Sequence, residues 1–133
     1  MKISANAPCP CHSGQKYKKC CQAYHVGANP SNALVLMRSR YSAFALRLVD
    51  YIIASTHPNN TEYTKDTKEW KSGIAEFCDN ANFTGLEIIE FIDGENEAFV
   101  IFKAILGDMQ FIEKSRFLRV DSKWLYESGE FAT

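Results

Sequence analysis

The chain has 133 residues, 46% of them hydrophobic and 13% aromatic, with a formal net charge of −1. This length supports one good hydrophobic core rather than two. No apolar run is long enough to span a bilayer, and the N-terminus lacks the charged, apolar and small-residue succession of a signal peptide. We therefore expect a protein with no membrane partner.

Four of the five cysteines lie within thirteen residues, in CPCHSGQKYKKCC: Cys9, Cys11, Cys20 and Cys21. A segment this short cannot bury a core of its own. Four thiolates on one tetrahedral zinc ion would hold it, because binding the metal is then the folding reaction. Reduced core cysteines and disulfides are the alternatives. Neighbouring cysteines rarely bridge each other, but cross-pairing between the two pairs is geometrically possible.

A four-thiolate zinc would be structural, because a catalytic zinc needs an open position for water or substrate. Cysteines on a metal, with a lone Cys78 elsewhere, suit a reducing compartment. We therefore expect a cytoplasmic location.

Charge is distributed unevenly along the chain. The first 30 residues carry four lysines and no acidic residue, whereas the other 103 carry 11 basic and 16 acidic residues. A basic end suits an anionic partner surface, although lysines also simply keep an exposed finger in solution. We expect four residues between the cysteine pairs to face outward and contact a partner: Lys16, Tyr17, Lys18 and Lys19.

Residues 28–32 contain Pro30 and are interpreted as a linker, which divides the chain into 1–27 and 28–133. Ser31 or Asn32 then offers a helix N-cap. An amphipathic helix follows, since apolar residues recur at steps of three and four: Leu34, Met37, Tyr41, Ala45 and Leu48.

Two further helices are predicted, a short one ending near Thr56 and another over 64–80. The inward face of the latter is predicted to carry Trp70, Ile74, Phe77 and Cys78. Strands are then predicted over 83–92, 97–106, 109–120 and 123–127, separated by turns. Helices followed by an antiparallel meander indicate an α+β fold. The middle strands are apolar on both faces, which fits a curved sheet wrapped around the first long helix.

The cysteine segment resembles the SEC-C motif, a zinc-binding element with the pattern Cys-x-Cys-x-Ser-Gly, basic and aromatic residues, then Cys followed by Cys or His. The resemblance implies that the four clustered cysteines are the metal ligands. His12 stands where the family usually has Gly, and we expect it to lie beside the ligands or toward solvent without ligating. The similar element in the SecA tail docks on a protein partner.

Longer strings resemble the YchJ family: LMRSRYSAFAL at 36–46, VDYIIASTHP at 49–58 and FIEKSRFLRVDSKWLYESG at 111–129. Members are small bacterial proteins, mostly of undefined activity, whose middle domain is similar to nuclear transport factor 2. The resemblance implies a cystatin-like cone, with helices packed in the hollow of a strongly bent antiparallel sheet.

Related folds host isomerases and dehydratases that use a carboxylate or His inside an apolar cavity. Glu113 shares a strand face with Phe111 and Phe117, so burial would raise its pKa toward that of a general base. The candidate catalytic residues are Glu113, His57, Arg38 and Ser115. The favoured interpretation of an Arg and a Glu at this helix–sheet junction is instead a buried ion pair that fixes the packing.

Three functional hypotheses follow. The first is an adaptor, not an enzyme, that docks on a cytosolic protein through its cysteine segment while the cone serves as a scaffold or dimer surface. The second is a small-molecule carrier or a lyase- or isomerase-type enzyme that uses the cone cavity. The third is a factor that associates with RNA or the ribosome through the basic segment, although a pI of about 6.3 is weak support for nucleic acid.

Overall fold

The computed structural model describes residues 3–132, which form helices followed by one antiparallel sheet. A 3-10 turn at Tyr17–Lys19 comes first. The helices are α1 (Gln22–His25), α2 (Ala33–Ala45), α3 (Val49–Ala54) and α4 (Lys68–Asn80). The strands are β1 (Phe83–Ile92), β2 (Glu97–Leu106), β3 (Met109–Val120) and β4 (Lys123–Ala132). The predicted α+β fold is confirmed.

The strands form a meander in the order β1-β2-β3-β4, and the predicted bounds of the first three are confirmed. The prediction that the fourth ends at residue 127 is wrong, because β4 continues to Ala132. The long third strand explains the difference, since its first half needs a partner and pairs with the end of β4. A register shift between Arg116 and Phe117 marks an irregularity of the kind that bends a sheet.

Helix α2 begins at its N-cap Asn32, whose side chain accepts a hydrogen bond of 2.9 Å from the Val35 amide. Of the two predicted caps, Asn32 is therefore the one used. One side of α2 packs on the sheet and forms the main core: Ala33, Leu36, Met37 and Tyr41 against Ala98, Val100, Phe102, Ala104, Phe117 and Trp124.

Helices α3 and α4 form a second, smaller cluster against α2 around Ala43, Ile52 and Ile74. Helix α4 starts at Lys68 and not at 64. Ile74 is buried as predicted, but Phe77 is 47% exposed. The reason is that α4 buries only a narrow face, and Phe77 lies at its edge, with its ring 5.7 Å from that of Phe44.

The longest helices have 13 residues. None of the helices in residues 3–132 combines the length and hydropathy that crossing a bilayer requires.

We expect Asn32→Ala to destabilise the protein by about 1 kcal/mol, because the Val35 amide loses its acceptor at the start of α2. Urea unfolding would measure the change. Asn32→Asp is the matched control, since it retains an acceptor oxygen and should stay within about 0.5 kcal/mol of the unchanged protein. Equal destabilisation by both substitutions would contradict the capping role.

Candidate metal centre and cavity

The four clustered cysteines converge. Their Sγ atoms all lie within 4.8 Å of one another. Cys11 Sγ is 3.5 Å from Cys20 Sγ, which is 3.9 Å from Cys21 Sγ. All five cysteines of the chain are free, and these separations far exceed the roughly 2 Å of a disulfide. Sulfurs at about 2.3 Å from a tetrahedral zinc lie about 3.8 Å apart, so the cluster has the dimensions of a metal site.

The backbone of the cysteine knuckle (residues 9–21) brings the two pairs together. The Cys9 amide donates to the Gln15 carbonyl at 2.8 Å, which closes a tight hairpin. His12 and Gly14 both have positive φ, of 62° and 88°. Glycine adopts this conformation without steric cost, which accounts for Gly14 in the turn. His12 is exposed, with Nε2 3.3 Å from the Phe83 carbonyl oxygen, and lies outside the ligand cluster, as expected.

The sulfurs influence one another's protonation. Hydrogen bonds from Cys21 and Cys9 hold the pKa of Cys11 below its ordinary value. The Cys9 pKa is raised to about 11 and that of Cys21 is also raised, because each thiol retains its proton in a bond to Cys11. A metal ion would replace these protons, so binding would release them and acid would oppose it.

Tyr17 corrects the expectation that the whole basic turn faces outward. Its side chain is 7% exposed and packs with the cysteines and Leu46. Its hydroxyl lies 2.6 Å from His25 Nδ1, while His25 Nε2 lies 2.8 Å from the Ser39 carbonyl oxygen. A carbonyl can only accept, so Nε2 donates to it and Nδ1 accepts from Tyr17. The aromatic residue of the turn therefore anchors the knuckle to α2.

His25 had not been singled out in the sequence. Burial lowers its pKa, which keeps the ring neutral and able to bridge the knuckle and the helix. The only sequence signal was its position, four residues after the last clustered cysteine. The three lysines of the turn are exposed, as expected: Lys16, Lys18 and Lys19.

Arg38 also corrects an expectation. The sequence makes it a candidate catalytic residue of the cavity, but its Nη1 donates to the Cys11 carbonyl oxygen at 3.1 Å. Successive residues of a helix are rotated by about 100°, so Met37 and Tyr41 share a side that Arg38 does not. Arg38 therefore links α2 to the knuckle.

A cavity of about 240 Å³ lies between α2, α4 and the concave face of the sheet. Phenylalanine is the commonest residue in its wall, and the polar side chains there are Arg40, Tyr41, Glu113, Ser115 and Tyr126. Glu113 and Ser115 are therefore where the sequence placed them. His57 is not in the wall. Its amide donates to the Tyr126 carbonyl and its ring accepts from the Asn59 amide, which turns the side chain away.

Arg40, which no sequence pattern singles out, is the buried cation of the cavity. Its Nη1 donates to the Ile52 carbonyl at 2.9 Å and to the hydroxyls of Ser55 at 2.7 Å and Thr56 at 3.2 Å. Its guanidinium carbon lies 4.6 Å from the centre of the Tyr126 ring. Burial lowers the Arg40 pKa to about 10, so the side chain stays charged at neutral pH.

The predicted buried ion pair is not formed. No ion pair in residues 3–132 involves Arg40, Arg38 or Glu113. The hydroxyl of Ser115 donates to Glu113 Oε2, and that of Tyr126 does so at 3.4 Å. Burial raises the pKa of Glu113, and these hydroxyls and the charge of Arg40 only partly oppose that effect. Hydroxyl groups thus take the place of the expected arginine.

Gly129 of β4 makes room for this carboxylate. It pairs with Ser115 across the sheet, and a Cβ at this position would lie 2.6 Å from Glu113 Cδ and 2.7 Å from the Tyr126 hydroxyl. Such approaches are too short for any side chain, so an alanine would displace Glu113 or Tyr126. Its place beside two polar side chains became visible only with the register of β3 and β4.

Comparisons with known proteins agree with this architecture. The family model described as "YchJ, middle NTF2-like domain" matches residues 32–129, and the SEC-C motif matches residues 6–23. The chain belongs to the YchJ family. Its domain boundary at residues 27 and 28 stays a prediction.

Among curated YchJ relatives, a UPF0225 protein of Serratia proteamaculans is 38% identical over 130 residues, covering 91% of this chain and 81% of the relative. A solved SEC-C motif protein of Psychrobacter arcticus has a TM-score of 0.79 at 24% identity, covering 97% and 85% of the two chains. One from Rhodopseudomonas palustris has a TM-score of 0.78 at 24% identity, covering 96% and 100%. These structures support the fold alone.

We expect Cys11→Ser to weaken metal binding at least about tenfold, because it removes one of four thiolates from a closed site. Cobalt titration, followed by thiolate-to-metal absorption, would measure the affinity. Cys78→Ser is the matched control, since Cys78 belongs to the cluster around Ile74 and should leave the titration unchanged. Unaltered binding by Cys11→Ser would rule out the proposed ligand set.

Glu113 generates a pH prediction. Because its folded-state pKa is raised, the folded state holds more protons than the unfolded state just above the ordinary value of 4.5. Stability attributable to this group therefore falls as pH rises through that range. In urea unfolding, Glu113→Gln should therefore have a higher free energy of unfolding than the unchanged protein. This gain should be larger at pH 7 than at pH 4. Glu90→Gln, an exposed change on β1, should show no such gain.

Proposed function

We propose that this protein is a zinc-containing adaptor that docks on a cytosolic protein partner through its cysteine knuckle. One observation carries the proposal. Four sulfurs converge directly beside a turn that presents three exposed lysines. The metal would hold the turn in shape, and the lysines would make the contact.

Zinc is the metal that the donor set favours. Four thiolates in a tetrahedral arrangement are typical of structural zinc or iron–sulfur sites, and the sulfur separations suit a single ion. With all four positions filled by protein, no site remains for water or substrate. A structural role follows, because the ion would hold together a short segment whose buried residues join Leu46 in a small cluster outside the main core.

The exposed lysines indicate the chemistry of the partner. Lys16, Lys18 and Lys19 lie on one short turn, and burial of Tyr17 beneath them fixes its orientation. The first 30 residues carry no acidic residue, so nothing nearby within that segment neutralises the turn. An acidic patch on a protein is the matching surface. RNA is the competing occupant, but a single patch in a chain of pI about 6.3 favours it less.

The test is charge reversal of the turn. Lys16→Glu, Lys18→Glu and Lys19→Glu together should reduce capture of the partner from cell extract by the immobilised full chain at least about tenfold, because three favourable contacts become repulsive. Lys65→Glu, Lys68→Glu and Lys123→Glu form the matched control, since these lysines are also exposed but lie away from the knuckle. The control should capture normally.

Metal content and far-UV circular dichroism should be unchanged in both triple variants, which separates lost contact from lost folding. Zinc measured on the purified reduced protein should approach one ion per chain. Equal capture by the two triple variants would count against docking through the turn. Capture that disappears after nuclease treatment, with an affinity that falls steeply with salt, would assign the turn to RNA instead.

A further inference from the structure

We propose that the cavity between α2 and the sheet is a binding site for a small neutral molecule with an apolar ring and one hydroxyl group, which donates to Glu113 Oε1. This site is separate from the knuckle and does not depend on the adaptor role. Its support comes from the size of the cavity, its wall, one free acceptor and the balance of charge.

The cavity has the size and access that such a molecule needs. An apolar cavity of about 150 Å³ holds benzene in a protein interior, so about 240 Å³ admits a substituted single ring. Phe77 and Phe131 line it and are 47% and 70% exposed, so the cavity opens to solvent on their side. Phe102 and Phe117, buried in the core, form its deep wall.

One acceptor at the polar end has no partner. Glu113 Oε2 receives the hydroxyls of Ser115 and Tyr126, whereas Oε1 receives no hydrogen bond from residues 3–132. No fully enclosed side-chain nitrogen or oxygen among these residues lacks a partner. Oε1 is therefore accessible, and since Glu113 lines the cavity, a ligand there can reach it. A ligand that donates one hydrogen bond completes the shell of the carboxylate.

The charge of the site favours a neutral ligand. Arg40 is buried with three neutral acceptors and no ion pair, and Glu113 is the carboxylate that lines the same cavity. The two opposite charges balance across the Tyr126 ring, which contacts both. A charged ligand would be attracted by one of these groups and repelled by the other, and it would also lose its hydration against the phenylalanine wall.

The geometry around Glu113 is built to hold the carboxylate in place. Ser115, a residue that is 1% exposed, donates its hydroxyl to the carboxylate from the same strand, and the Tyr126 hydroxyl donates to it from the neighbouring strand. Gly129 leaves the space that the carboxylate occupies. Ser115, Tyr126 and Gly129 thus hold one carboxylate in a fixed position. A residue that only filled the core would not need such an arrangement.

The experiment compares phenol with toluene, which has the same shape but lacks the hydroxyl. Amide chemical shifts of the full chain would be followed during titration with each compound. Phenol should bind at least about tenfold more tightly than toluene, because one hydrogen bond to a charged acceptor contributes a difference of about this size. The largest shifts should lie at Glu113, Ser115, Phe117 and Tyr126. Benzoate should bind more weakly than phenol.

Three variants locate the site. Glu113→Met should bring phenol affinity down to that of toluene, whereas Glu90→Met, a change of an exposed carboxylate, should leave it unchanged. Ala104→Leu fills the cavity wall and should weaken both compounds. Gly129→Ala should remove the preference for phenol by displacing the carboxylate. This variant still tests the role of Glu113 if Glu113→Met fails to fold.

Equal affinities for phenol and toluene would overturn the hydroxyl assignment. Shifts confined to residues outside the cavity, or none up to the solubility limit of either compound, would overturn the site itself. Neither result would bear on the knuckle, whose lysines lie outside the wall of the cavity.

Discussion

Helix α2 is covered by the sheet on one side and by α3 and the cysteine knuckle on others, so its polar side chains must find partners inside the protein. The Ser39 hydroxyl donates to the Leu36 carbonyl and bonds to the Tyr51 hydroxyl at 2.6 Å, and Arg40 bonds to the end of α3. The Ser39 carbonyl accepts from His25 of α1, which also bonds to Tyr17 of the knuckle. Burial of a helix on several sides is costly unless such groups are satisfied, and each bond also fixes a neighbouring element.

Both candidate sites depend on this helix. The knuckle has too few residues for an independent core, and its attachment runs through Arg38 and His25 to α2. The cavity lies against α2 on its sheet side and takes its buried cation, Arg40, from the same helix. Arg38 and Arg40 are two residues apart in the chain but belong to different sites. The rotation of the helix between them directs Arg38 to the knuckle and Arg40 to the cavity.

Patterns that act locally were predictable. The strands of the meander followed from β-branched and aromatic runs between turn residues, and the metal cluster followed from four cysteines in thirteen residues. Features that depend on tertiary partners were not. The length of β4 depends on β3, the burial of Tyr17 depends on His25, and the hydrogen bonds of Glu113 come from Ser115 and Tyr126 instead of an arginine. A sequence pattern shows which residues form an apolar face. It does not show which neighbour forms a hydrogen bond with a polar side chain on that face.

The meander topology has a consequence for the order of folding. Every strand pairs with its neighbour in the chain, so each hairpin closes a short loop at a small entropic cost. Docking of α2 on the sheet instead joins segments that are far apart in the chain, such as those of Tyr41 and Gly85 or of Met37 and Phe102. Long-range contacts of this kind are the slow ones in small domains, so we expect the hairpins to form before the helix settles on them. The cavity, which needs that helix in place, would then be completed last, whereas the four sulfurs of the knuckle lie within thirteen residues and can meet without it.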